Sequence, residues 1–272
     1  PVQMCADTFS SLWKQVDAAR AKDLPQSELA LLRKISAKAQ AEKAYGHLLK
    51  AEMLAARCQV QVSRDSLAPV VQRLERNAAD ADRHNPVLGA VYHSLLGKVY
   101  LNGFAGEDSC LAWSRRHYAL SLSHPEQLAK VKATGYEPAV KTGYDSRVFG
   151  HDLLSVLSFE AHSYQAAHQY YATHYNRAAT MLMALRMLDE HKPWNPDNWR
   201  KSRHIARLDS LIHEYADLTE CGEVAIVRYR YMSDCRNTTN RERVAWINYA
   251  LDKWGSWPHL NTLRNEKARL TN

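Results

Sequence analysis

Thirteen histidines in this chain could hold a metal or relay a proton, yet no two of them stand three or four residues apart. A helix presents paired imidazoles to one ion through that spacing, so a His-Glu-x-x-His site is excluded and the expectation is no metal. His151-Asp152 is an adjacent histidine and acid where the glycine-rich break ends. Neighbours in sequence point in different directions on a helix, so this pair reads as a cap for the helix that continues through Leu153, Leu154 and Val156 rather than as a catalytic base. No Gly-x-Ser-x-Gly elbow supplies a nucleophile, and Gly97-Lys98 lacks the spacing of a phosphate loop. The five cysteines, at 5, 58, 110, 221 and 235, form no Cys-x-x-Cys, and buried free thiols are expected. If the protein is exported, Cys221 and Cys235 are the pair nearest in sequence, although helical spacing alone does not join them. The expectation is therefore a non-enzyme with no catalytic, cofactor-binding or metal-binding residues and no cofactor.

The aromatic residues form two groups, Tyr164, Tyr170, Tyr171 and Tyr175, and Trp246, Tyr249, Trp254 and Trp257. Exposed, they would make stacking platforms; at helical spacing they read as packing, because buried aromatic rings carry so much apolar area. The Lys192-Pro193-Trp194-Asn195-Pro196 stretch is the better candidate for an exposed contact. The formal charge is +7, but cations alternate with acids, as at Lys14 and Asp17 or Arg241, Glu242 and Arg243. No block of five like charges occurs, so a solvated basic surface is expected and nucleic acid is not. No run of eighteen apolar residues suggests a membrane span.

The elements that position these side chains are helices. Phe9, Leu12, Trp13 and Val16 fall on one face of a 3.6-residue period, and Asp23-Leu24-Pro25 ends that helix and starts another. The same template recurs at Leu67, Val70, Val71 and Leu74; at Leu88, Val91, Tyr92 and Leu95; at Ala178, Met181, Leu182 and Leu185; and at Leu208, Leu211, Ile212 and Tyr215. Breaks are expected at Tyr45-Gly46, His84 to Pro86, Asn102 to Gly106, His174 to Asn176 and Lys192 to Trp199. Only Leu120 to Ser123 alternates like a strand. With 46% hydrophobic residues the chain can bury a core. The reading is all-α: antiparallel helix pairs stacked as an irregular, tetratricopeptide-like solenoid, one array over 1–272. Gly135, Pro138, Gly143 and Gly150 mark a candidate division into lobes 1–134 and 151–272, joined by 135–150.

Six stretches carry a family resemblance: Leu12 to Val16, Asp23 to Ser27, Lys38 to Lys43, Pro86 to Tyr100, Asp145 to Arg147 with His151 to Leu154, and Tyr170-Tyr171 with Asn176 to Ala179. In this order they resemble the N-terminal region of bacterial alpha-2-macroglobulin family proteins of the large exported Bacteroides type. The resemblance implies part of a multidomain protease trap, whose bait region is cleaved before the protease is engulfed. It places the chain in the periplasm or at the cell surface. The partners it implies are macroglobulin domains of the same polypeptide, with proteases or cell-envelope proteins as further candidates. A start at Pro1 without an initiator methionine fits a processed or excised chain.

Full members of that family carry a Cys-Gly-Glu-Gln thioester, whereas residues 221 to 224 here read Cys-Gly-Glu-Val. Val224 has no carboxamide to condense with Cys221, and the family's thioester lies in a distant domain, so the likeness is coincidental. The expected role is a non-catalytic scaffold and protein-interaction module of a protease-trapping inhibitor. The alternative is a stand-alone helical-repeat adaptor that binds a peptide or protein. Macroglobulin domains encoded after Asn272 would favour the first, a stop codon there the second.

Overall fold

The computed structural model describes residues 8–102, 107–143, 145–193 and 198–271. Among them are fourteen α-helices and no strand; one isolated bridge joins Lys132 to Asp152. Leu120, on the stretch that alternates, lies inside a helix instead. The chain divides into two compact units, Pro1–His162 and Ser163–Asn272.

The first unit contains α1 (Phe9–Ala21), α2 (Pro25–Glu42), α3 (Tyr45–Val62), α4 (Leu67–His84), α5 (Pro86–Leu101), α6 (Glu107–Ser121), the single turn α7 (Pro125–Leu128) and α8 (Leu153–Ala161). Each long helix packs mainly on its neighbour in the chain, α1 on α2, α2 on α3, α4 on α5 and α5 on α6. The expected stripe of α1 is real: Leu12 and Val16 are buried against Leu32, Ile35 and Ala51, with Phe9 and Trp13 at the edge. Pro25 sits in the first turn of α2, where its missing N–H costs nothing. Asn85 caps α5 by accepting from Leu88 N at 3.2 Å, and Pro86 follows as the first helical residue. The break expected at Tyr45-Gly46 falls two residues earlier, on Lys43 in the left-handed region and Ala44, so that Gly46 lies inside α3.

The second unit contains α9 (Gln165–Thr173), α10 (Arg177–Glu190), α11 (Arg203–Tyr215), α12 (Cys221–Asp234), α13 (Asn240–Trp254) and α14 (Asn261–Thr271). Asn176 caps α10, Ser202 caps α11, and Thr239 with Glu242 forms a reciprocal capping box on α13. The apolar stripe of α11 is buried as its spacing predicts, at Leu208, Leu211, Ile212 and Tyr215. Helix α12 touches α10, α11 and α13 and is buried around its whole circumference, so it shows no stripe.

The expected division at 135–150 is corrected. Residues 133–136 form a short 3₁₀ turn packed on α3, Tyr136 stacks on Tyr45, and Phe149 meets Phe159 of α8 edge to face. The glycines and proline that suggested a linker shape a docked segment of the first unit, and the boundary follows His162, in the left-handed region after α8.

Candidate functional site

The richest arrangement of polar side chains runs through α3, α4, α5 and α6. Its first part is an open cleft of about 510 Å³ lined by the ends of α2 and α3, the last turns of α4 and the start of α5. The Glu52 carboxylate lies in it and accepts from Tyr92 Oη at 2.6 Å and from Asn77 Nδ2 at 3.3 Å. Both bonds arrive on Oε2. Burial holds the Glu52 carboxyl above its ordinary pKa, partly offset by those two bonds and by the charge of Arg73. The Tyr92 hydroxyl is raised in turn, by burial first and then by the carboxylate it faces.

The second part is a relay through the buried His93, the next residue of α5, and the buried His117. His93 Nε2 meets Asp82 Oδ2 at 3.0 Å, His93 Nδ1 meets His117 Nδ1 at 2.9 Å, and His117 Nε2 stands 3.8 Å from Glu75 Oε1. Tyr100 donates to that same Glu75 oxygen at 2.5 Å and stacks on His117. Gly89 makes room for the acid: a Cβ there would sit 2.1 Å from Asp82 Oδ1. Only one of the two facing Nδ1 atoms can carry the proton of their hydrogen bond, and His117 Nε2 is buried without a hydrogen-bond partner. Two imidazolium rings would set N–H against N–H across 2.9 Å.

Burial, and then the neighbouring His93, push the His117 pKa down from 6.5 to about 4. The native state therefore binds fewer protons than the unfolded chain between those values, and stability is lost as pH falls from 6.5 towards 4. From the linkage relation the loss reaches roughly 2 to 3 kcal/mol by pH 4.5. Urea midpoints at pH 7 and pH 4.5 check this: His117→Gln should shrink the gap between them by about that amount, and an unchanged gap would count against the assignment.

In the second unit the polar groups serve as ties between helices. Glu223, buried on α12, accepts from Trp257 Nε1 at 3.1 Å and faces His259 Nδ1 at 3.0 Å, with Arg186 at 3.9 Å. Arg228 donates to Asp209 at 2.5 Å, and its guanidinium lies 3.8 Å from the Trp246 ring centre and 5.4 Å from that of Trp199. These long-range pairs carry no local sequence signal; only the tertiary fold brings Glu223 to Trp257 and His259.

The residues singled out in the sequence separate cleanly. Asp152 caps α8, accepting from Ser155 N at 2.8 Å, while His151 adopts the left-handed conformation and bonds Ser146. Gly97 lies buried within α5. Cys221 is fully buried in the first turn of α12 near buried Val224, and burial pushes its thiol up to about 12. Cys58, Cys110 and Cys235 are also buried, whereas Cys5 lies outside the described residues. Trp194, Asn195 and Pro196 of the expected contact loop also lie outside the described residues. The aromatic groups split: Tyr164, Tyr171, Trp254 and Trp257 are core, Tyr170 and Trp246 are half-buried, and Tyr175 and Tyr249 are exposed. Among the described residues no group of three or more His, Cys, Asp or Glu side chains is placed to hold a metal, and no helix is long and apolar enough to cross a membrane.

No protein-family model, curated protein or solved structure matches the chain.

Proposed function

We propose that the chain is a non-catalytic helical scaffold that makes protein contacts, acting as the N-terminal helical module of an exported, alpha-2-macroglobulin-like protease-trapping inhibitor. The observation that carries the scaffold reading is the packing of each long helix on its chain neighbour within a unit, which leaves rows of outer helix faces to solvent. Stacked helices of this kind suit extended protein contacts better than a deep reaction centre. The polar side-chain ties support the same reading, because Arg228 with Asp209 and Glu223 with His259 and Trp257 join helices inside one unit. The inhibitor assignment rests on the residue resemblance, in which Leu12 to Val16 and Asp23 to Ser27 span the α1–α2 turn. The partners proposed are macroglobulin domains of the same polypeptide, and proteases or cell-envelope proteins after them; the proposed location is the periplasm or cell surface.

Biolayer interferometry of the immobilised chain against those macroglobulin domains, and separately against a panel of proteases, tests the reading. Saturable binding to the domains is the expected result. Binding to neither would overturn it, and a partner peptide bound without any macroglobulin contact would favour a stand-alone adaptor.

A further inference from the structure

We propose that the cleft between α3, α4 and α5 receives a lysine side chain, whose ammonium group meets the Glu52 carboxylate. The lining has the required charge. Its described residues include Glu52 and Asp80 and no lysine or arginine, in a chain whose net charge is +7. Helix α4 ends at the cleft with its negative dipole end, which adds to the field of Glu52; Asp80 on the rim is paired with Arg83 at 3.0 Å and stands 3.7 Å from His84. Arg73, the cation that Glu52 senses, is engaged by Gln59 Oε1 at 2.9 Å.

The acceptor geometry selects the kind of cation. Tyr92 and Asn77 both occupy Oε2, which leaves Oε1 for the ligand. A single free oxygen suits the compact point charge of an ammonium group, whereas a guanidinium fork gains most when both carboxylate oxygens are open. The remaining walls suit a four-carbon stem. Leu48, Val87 and Leu88 line the cleft beside Tyr45, giving apolar surface for methylenes. The proposal takes from the protein-contact reading only the source of the lysine, a partner segment; the chemistry of the cleft stands by itself.

Calorimetric titration of the whole chain at pH 7.5 with Nα-acetyl-lysine methylamide tests it. The arginine and norleucine analogues serve as comparison ligands. A dissociation constant of about 1 mM is expected for the lysine compound, at least tenfold tighter than for norleucine and severalfold tighter than for arginine. Glu52→Gln, which preserves shape, should weaken lysine binding at least tenfold with an unchanged far-ultraviolet spectrum. Should that variant misfold, Asp80→Asn on the exposed rim should weaken binding two- to threefold. Equal binding of norleucine, equal or tighter binding of arginine, or full retention in both variants would overturn the proposal. Capture of macroglobulin domains without lysine binding defeats the cleft assignment alone; lysine binding without capture of any domain or protease defeats the scaffold reading alone.

Discussion

Gly46→Ala is expected to destabilise the first unit by about 3 kcal/mol, because a single added methyl has nowhere to go. A Cβ at this position would lie 1.9 Å from the Glu137 carbonyl oxygen and 2.5 Å from the Tyr136 carbonyl carbon. Both obstacles are backbone, so no rotamer change relieves them. Either α3 must tilt away from the 3₁₀ turn or the turn must lift off, and both routes disturb the stacking of Tyr45 on Tyr136. For a unit of this size the midpoint of thermal unfolding should drop by roughly 6 to 12 °C. Gly135→Ala and Gly143→Ala are the matched controls, since an added Cβ meets nothing within 4 Å at either position. They should change stability by no more than about 0.5 kcal/mol. An alanine at 46 as harmless as at 135 would show that the segment does not rest on α3.

Trp257→Ala is expected to cost the second unit about 3 to 5 kcal/mol from lost packing alone. The ring is 1% exposed and is the largest fully buried side chain among the described residues. Its indole N–H also holds Glu223, so truncation removes a neutral donor from a buried carboxylate, which adds to the packing loss. Trp257→Phe separates the two effects. It retains most of the apolar area and loses the donor, and should cost about 1 to 3 kcal/mol. Tyr249→Ala, on a side chain 48% exposed, should fall within about 1 kcal/mol of the parent. Urea midpoints followed by tryptophan emission compare all three; a Phe variant as damaged as the Ala variant would mean the hydrogen bond dominates.

Helices with one buried side were legible from spacing. Phe9, Leu12, Trp13 and Val16 marked α1, and Leu208 to Tyr215 marked α11, because each of these helices is covered on one side only. The same rule explains what stayed hidden. Helix α12 is enclosed by three neighbours, so Cys221 to Met232 show no periodic stripe, and the buried residues of α5 extend well beyond Val91, Tyr92 and Leu95 to Ala90, His93, Ser94 and Leu96. The polar arrangements were out of reach for a second reason. Tyr92 finds Glu52 forty residues away and His117 finds His93 twenty-four away, and local spacing carries no trace of a pairing set by helix order. The histidine reading considered pairs on one helix and was silent about two rings on adjacent helices. The 135–150 segment misled because glycine and proline announce a break in helix, and a break is as compatible with a docked turn as with a linker.

The position of Arg228 between Trp199 and Trp246 has a practical side. Five of the seven tryptophans follow His162, and only Trp13 and Trp113 precede it. Indole emission is thus dominated by one half of the chain, and a guanidinium 3.8 Å from the Trp246 ring centre gives that signal a built-in sensitivity to the loosening of α12 from α13. His117, whose protonation costs stability at low pH, belongs to the other half. A single acid titration, read simultaneously by fluorescence and by circular dichroism, therefore times the failure of each half separately, with no label attached and no residue changed.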